Sequence, residues 1–496
     1  MKNRYWLQLG MLVGLTALFS AWKASTPLPN IVFIYADDLG YGELGCYGQQ
    51  KIRTPYLDQL AKEGMKFEQF YASAPVCAPS RCMLLTGVHA GHSYIRGNYE
   101  LGLYSDAQEG GQMPLPPHTY TIGHVLKAKG YQTAIVGKWG LGMPNNTGTP
   151  LKQGFDYFYG YACQKQAHNH YPTHLWENDH WDTLRNPELL VHTPLPPNES
   201  RPEAFAKFIG KEYAVDKQTE KAVSFMEQNR KKPFFLYLAY TLPHLSLQVP
   251  EASLAEYKGK FEETIYRGQK NYASTPYPKA TYAAMITHLD KQVGIVREKL
   301  KQMGLADNTL ILFTSDNGAT FEAGGAPVQF FQSNGMLRGT KGEVYEGGIR
   351  VPMIAYWKGH IRAGSVTPNV AIQYDLMATL AELTHSPIPT ETDGISFLPT
   401  LLGKPQKAHD FLYFEFSDLG GQVAVRLGNW KGVKSNLKTN QNAPWQLYNL
   451  TDDIGETKNV VAQHPEIVAQ LDKIAKQSHT PAHIQEWEFL NPIWKR

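Results

Sequence analysis

The chain has 496 residues, 42% hydrophobic and 19% charged, which suits a globular protein of roughly three domains or fewer and excludes a disordered one. Forty-eight Lys+Arg against 45 Asp+Glu leave a net charge of +3, without the concentrated basic surface that nucleic acid or an anionic membrane requires. Four cysteines cannot make a disulfide scaffold, and 43 Gly with 32 Pro imply many turns.

Lys2 and Arg4 precede a mostly apolar run from Leu7 to Phe19, followed by the small residues Ala21, Ala24 and Ser25. This pattern reads as a signal peptide over residues 1–24, so a periplasmic or secreted mature protein is expected. No cysteine stands where a lipid anchor would need one, and no other stretch is apolar enough to cross a membrane. The apolar run Asn30–Ala36 stops abruptly at Asp37-Asp38 and reads as a strand buried on both faces. The same pattern recurs at Gln132–Val136 before Gly137-Lys138, at Pro233–Tyr240 before Pro243-His244, and at Thr309–Thr314 before Ser315-Asp316-Asn317. Helical patterns lie at Pro55–Gly64, Thr121–Gly130, Asp216–Asn229 and Tyr282–Gly304. The alternation predicts an α/β fold over residues 25–405, a large doubly wound and mostly parallel sheet flanked by helices. Ligands of such sheets collect beyond the carboxyl ends of the strands, where all four runs end in polar or charged residues. Residues 406–496 predict a smaller α+β subdomain, with antiparallel strands Phe411–Phe416, Gln422–Leu427 and Trp445–Tyr448 and a helix Pro465–Gln477. The stretch from His168 to about Pro202, rich in His, Pro, Asn and Trp, shows no period and reads as a long functional loop.

The sharpest local signal is Cys77-Ala-Pro-Ser-Arg81-Cys-Met-Leu-Leu-Thr86-Gly87. Pro79 suits the first turn of a helix, and Arg81, four residues after Cys77, can reach back beside it at the positive helix end. An anion is favoured there by free N–H groups and dipole together. Cys-x-Pro-Ser-Arg followed by Leu-Thr-Gly resembles the signature of the formylglycine-dependent sulfatases, a branch of the alkaline phosphatase superfamily that includes arylsulfatase A-like and carbohydrate sulfatases. The resemblance runs from about Pro29 to the C-terminus. It implies a sulfuric ester hydrolase in which a maturation enzyme oxidises Cys77 to formylglycine, whose hydrate attacks sulfur and forms a covalent sulfo-enzyme intermediate. It further implies one divalent ion held by Asp37, Asp38, Asp316, Asn317 and the residue-77 oxygen. Ca²⁺ suits such an all-oxygen cage better than Mg²⁺. By the same resemblance Lys138 and Lys341 bind the sulfate, His244 contacts the ester and protonates the departing alcohol, and Arg81 holds the hydrate and a metal carboxylate.

One position departs from the family. Gly140 stands where the segment Gly-Lys-Trp-His-Leu-Gly has a histidine that contacts the formylglycine. His168 is the first candidate to replace it, with His170 and His174 behind it; the other reading has these histidines line a sugar pocket or bind nothing. The stacking surfaces and donors between His168 and Trp181 suit a sulfated carbohydrate of galactose or N-acetylgalactosamine type. The alternatives are a broad arylsulfatase, a phosphatase or phosphonate-ester hydrolase of the same superfamily, or a non-catalytic binder of sulfated glycans. Cys46, Cys82 and Cys163 are expected to be buried, unpaired apolar residues.

Overall fold

The computed structural model describes residues 28–320, 322 and 324–491; the expected signal peptide lies outside them. Ten strands form the larger sheet: β1 (Asn30–Asp37), β2 (Met65–Tyr71), β3 (Gln132–Lys138), β4 (Tyr157–Tyr161), β5 (His174–Glu177), β6 (His180–Thr183), β7 (Phe234–Pro243), β8 (Thr309–Ser315), β9 (Arg350–Tyr356) and β10 (Ser365–Ile372). Their spatial order is β10-β2-β9-β8-β1-β7-β3-β4-β5-β6. The central five, β8 to β4, run parallel, so their carboxyl ends open on one side of the sheet. β9 runs against both β8 and β2, and the hairpin β5–β6 adds antiparallel to β4. This hairpin corrects part of the expectation of a long loop from His168 to about Pro202. Its residues lack an apolar alternation because their pairing partners lie on β4 and on each other.

The apolar strands are continuous because both faces of the sheet are covered. Val32 and Ile34 of β1 enter one core together with Leu289 and Val293 of the helix Pro278–Gln302. Ile31 and Phe33 enter the opposite core with Val125 of the helix Ile122–Lys127 and Leu380 of the helix Asp375–Leu383. A period of two therefore carries apolar residues to both sides. The other anticipated helices lie at Pro55–Glu63 and Ala214–Gln228.

The smaller sheet is antiparallel, in the order β11 (Leu412–Phe416), β12 (Gln422–Leu427), β13 (Trp430–Lys434), β14 (Gln446–Asn449). The helix Pro465–Ser478 covers one face through Leu471, which joins Val425 and Leu447. Phe414 and Val433 on the other face join Tyr71, Ile349 and Ile372 of the larger body. β13 escaped the sequence reading because its second residue is a lysine. Lys431 is fully buried, 2.9 Å from Glu346 Oε1 and 3.0 Å from Glu456 Oε1. Burial opposes ionisation of Glu346, yet Lys431, Arg350 and Arg426 hold its carboxyl down at about 2. Of the three other cysteines, Cys82 and Cys163 are buried and free as expected, whereas Cys46 is only half-buried. Lys431→Ala leaves two buried carboxylates short of a cation and is expected to cost about 3–5 kcal/mol in urea unfolding. A loss under 1 kcal/mol would mean that the network does not hold the two sheets together.

Candidate active site

Asp37 closes β1, and Asp38 follows in a left-handed turn (φ 66°) that an aspartate tolerates. Asp316 and Asn317 follow the neighbouring β8. The Asp38 N–H donates to Asp316 Oδ1 (3.0 Å), and Asn317 Nδ2 donates to Asp38 Oδ1 (2.8 Å), which ties the two strand ends together. Cys77 opens the helix Cys77–Thr86 and sets its Sγ 3.3 Å from Asp37 Oδ1. One turn on, Arg81 donates from Nη2 to Asp316 Oδ2 (2.8 Å) and from Nη1 to the Lys138 carbonyl (2.9 Å), with Asp37 Oδ2 3.6 Å away. Lys138, at the end of β3, donates to Asp37 Oδ2 (2.7 Å). Lys341 donates to Asp38 Oδ2 (2.9 Å) from the loop before β9. His244 follows β7, its Nε2 3.7 Å from Asp38 Oδ2. Its Nδ1–H donates to the Leu245 carbonyl, which leaves Nε2 turned to the carboxylates. Seven residues from five distant segments thus meet around Cys77, with Asn317 among them.

The electrostatics follow from three buried carboxylates facing three cations. Burial opposes ionisation of Asp37, yet Lys138, His244, Arg81 and Lys341 together hold its carboxyl well below the usual range. Asp316 moves the other way, pushed up to about 7 by burial and by the charge of Asp37. Burial lowers the pKa of Lys138 and Lys341, but the carboxylates outweigh it and both stay cationic. Burial, then Asp316 and Asp37, pushes the Cys77 thiol well up, so an unmodified thiol here stays protonated and is a poor nucleophile. Asn317 Oδ1 is buried with no hydrogen-bond partner. Ligand atoms of Asp37, Asp38, Cys77 and His244 lie within 4.8 Å of one another. An orphaned amide oxygen beside clustered carboxylates is what a hard divalent cation requires, so these residues fit one.

A family model described as Sulfatase matches residues 29–386 of this chain. The chain belongs to the sulfatase family. A second model, N-sulphoglucosamine sulphohydrolase, C-terminal, matches residues 340–480. Arylsulfatase A of Homo sapiens is 33% identical over 93% of this chain and 89% of its own length. The N-acetylgalactosamine-6-O-sulfatase of Bacteroides thetaiotaomicron is 29% identical over 91% and 93%. Among solved structures, Ps i-CgsB is similar with a TM-score of 0.73, 28% identity and 94% coverage of each chain; its complex with k-i-k-neocarrahexaose scores 0.72. The activity of the chain is accordingly sulfuric ester hydrolysis.

In this sulfatase the space beside Gly140 is filled. Gly140 has φ 75°, and a Cβ built on it would lie 2.8 Å from Gln164 Cγ. Gln164 Nε2 donates to Gln112 Oε1 (2.9 Å) and lies 3.5 Å from Asn98 Oδ1, which accepts the N–H of Ala78 (3.0 Å), next to Cys77. His168 lies instead against His244, the rings stacked at 5.1 Å, with its Nδ1 unpartnered and Tyr272 and His192 beside it. Burial and the neighbouring histidines and lysines keep His168 neutral. His170 lies under the site rather than in it. Its Nε2–H donates to the His244 carbonyl (2.9 Å) and its Nδ1 accepts from Thr241, so it braces the turn that carries His244. His174 turns to Glu109 (2.8 Å) and away from His244.

The sequence reading missed Gln373, which follows β10. Its Oε1 accepts from Ser80 and Tyr35 and its Nε2 donates to the Ser315 carbonyl, so it clamps the Cys77 helix to β8. No motif marks it, because its partners are reached only through the sheet. Gly140→His meets both a left-handed backbone and the Gln164 side chain, and is expected to lose about 2 kcal/mol or more in urea unfolding. Adding Gln164→Ala should return part of that loss; equal stability of the single variant and the parent would show that Gln164 does not occupy the space.

Proposed function

We propose that this protein is an exported sulfatase that removes sulfate from a sulfated carbohydrate of galactose or N-acetylgalactosamine type, with residue 77 matured to formylglycine by a separate enzyme. The observation that carries the reading is the position of Cys77: at a helix N-terminus, 3.3 Å from Asp37 and ringed by Lys138, Lys341 and Arg81. The Sγ seen here stands for a hydroxyl oxygen of the formylglycine hydrate, which supplies one hydroxyl for attack on sulfur and a second for sulfate release. The sugar class is supported by the N-acetylgalactosamine-6-O-sulfatase relative and by the k-i-k-neocarrahexaose bound to Ps i-CgsB. Export is supported by the apolar run Leu7–Phe19 behind Lys2 and Arg4.

The chain's own residues divide the work. Lys138 and Lys341 take up the charge that develops on the sulfate oxygens, in a site from which water is largely excluded. Arg81 fixes Asp316 and Asp37, and through them the orientation of residue 77. His244 gives its Nδ1–H to the Leu245 carbonyl and turns Nε2 toward the leaving oxygen; it donates a proton there from its imidazolium form, which burial and the lysines oppose and Asp37 favours. Asp37, Asp38, Asp316, Asn317 and the residue-77 oxygen would hold a divalent cation. Ca²⁺ fits this oxygen set better than Mg²⁺ and would supply Lewis-acid polarisation. Three carboxylates balance three cations before that ion is counted, so with it the site carries a surplus of positive charge for a sulfate ester.

Mass spectrometry of the residue-77 peptide should show the aldehyde or its hydrate, and sulfate should be released from sulfated galactose or N-acetylgalactosamine far faster than phosphate from matched esters. Cys77→Ala should abolish turnover, and Lys138→Ala or Lys341→Ala should lower kcat by about 10²–10³-fold. Chelation should silence the enzyme, and Ca²⁺ should restore it more fully than Mg²⁺. Full activity in Cys77→Ala would refute the nucleophile.

A further inference from the structure

A cleft of 680 Å³, linked to the active-site segments through Gln112, Gln164 and Gly140, is lined by residues 107–111, by the turn Met143–Asn146 and by the hairpin residues Trp176, Asp179 and Trp181. We propose that this cleft binds an uncharged sugar unit of the glycan next to the sulfated one; the proposal rests on the carbohydrate sulfatase reading above.

The first argument is the platform. Trp181 of β6 remains 44% exposed, although one ring face is covered by His174 at 3.8 Å and 22°. Trp176 meets it edge-on at 5.9 Å. Both supports are fixed from below by one buried carboxylate: Glu109 Oε1 lies 2.8 Å from His174 Nε2 and 2.8 Å from Trp176 Nε1. A broad exposed indole is ordinarily an unfavourable surface group. Here it is backed by two rings that hydrogen bonds to Glu109 fix in place, the arrangement that presents a flat apolar face to the C–H face of a pyranose at little entropic cost. Asn145, Asn146 and Asp179 line the same cleft and can exchange hydrogen bonds with ring hydroxyls.

Charge decides which sugar. The described lining holds two carboxylates, Glu109 and Asp179, and no Lys, Arg or His. The lining itself offers a second sulfate two carboxylates and no cation, in contrast to the ring of Arg81, Lys138 and Lys341 around Cys77. Lys152, whose Nζ donates to the Asn146 carbonyl (3.4 Å), and His180, 3.3 Å from Asp179, touch lining residues without being among them. The cleft therefore suits a neutral unit and disfavours a sulfated one.

Continuity with the active site comes through two chain segments. Gly111 in the cleft wall precedes Gln112, whose Oε1 accepts from Gln164, and Gln164 lies against Gly140, two residues after Lys138. The segment that carries Lys138 runs on into the Met143–Asn146 wall.

The test compares three singly sulfated substrates, 4-nitrophenyl sulfate, N-acetylgalactosamine-6-sulfate, and that sulfated sugar joined to a neutral galactose, together with the disaccharide that carries a second sulfate on the galactose. The disaccharide should be preferred over the monosaccharide. In Trp181→Ala its kcat/KM relative to 4-nitrophenyl sulfate should fall about tenfold, through KM, and Trp181→Phe should recover most of it. Asp179→Lys, at an exposed position, should move preference toward a disaccharide that carries a second sulfate on the galactose. An unchanged ratio in Trp181→Ala, or a parent enzyme that prefers the doubly sulfated disaccharide, would overturn the cleft assignment while leaving sulfatase activity intact. Absence of sulfate release from all four would instead overturn the reading on which it rests.

Discussion

A guanidinium buried between two carboxylates organises this molecule. Arg81 reaches Asp316 at 2.8 Å and Asp37 at 3.6 Å, and its second nitrogen holds the carbonyl of Lys138. One side chain thereby joins the helix Cys77–Thr86 to the ends of β1, β3 and β8. None of these charges is stable alone in the interior, because removing one partner of a buried pair costs about 3–5 kcal/mol. The carboxylates need the cations, and the cations need the carboxylates. The helix Cys77–Thr86 is consequently locked at its first turn, and residue 77 cannot drift from Asp37 without leaving a charge uncompensated.

The sheet makes that lock possible. β8, β1, β7 and β3 lie side by side and parallel, so four chain segments deliver Asp316, Asp37, His244 and Lys138 to one rim. Parallel strands buried on both faces leave little freedom for their ends to shift, since each is fixed by hydrogen bonds to two neighbours and by two cores. Gln373 extends the same logic beyond β10, and His170 does so beneath His244. Rigidity at this rim suits an enzyme whose transition state is stabilised by fixed charge rather than by moving parts.

The surroundings of the rim are packed without a histidine at residue 140. A histidine is absent at residue 140, and Gln164 occupies the room that its side chain would need. His168 lies stacked on His244 and is neutral there. Farther out, Glu109 gathers His174 and Trp176 and sets Trp181 upright. The inner charges and the outer aromatic wall thus rest on different supports, so the outer wall can vary without disturbing the chemistry.

Much of this could be read from the residue string. The four apolar runs ending in charged residues announced the parallel sheet and the rim, because a strand buried on both faces has no polar positions to spare. The Cys77–Gly87 motif announced the family, and through that resemblance Asp37-Asp38 and Asp316-Asn317 announced the acidic cluster. Elements whose character depends on a distant partner stayed silent. β13 was hidden by Lys431, a charge made tolerable only by Glu346 and Glu456. The hairpin β5–β6 was hidden because its residues stack on one another and on Glu109 rather than alternate. The roles of His168, His170 and His174 could not be separated along the chain, since four residues of spacing say nothing about which nitrogen meets Thr241, Glu109 or His244. Local pattern reports what a segment buries; only the assembled fold decides which buried group faces which, because those contacts join residues tens to hundreds of positions apart.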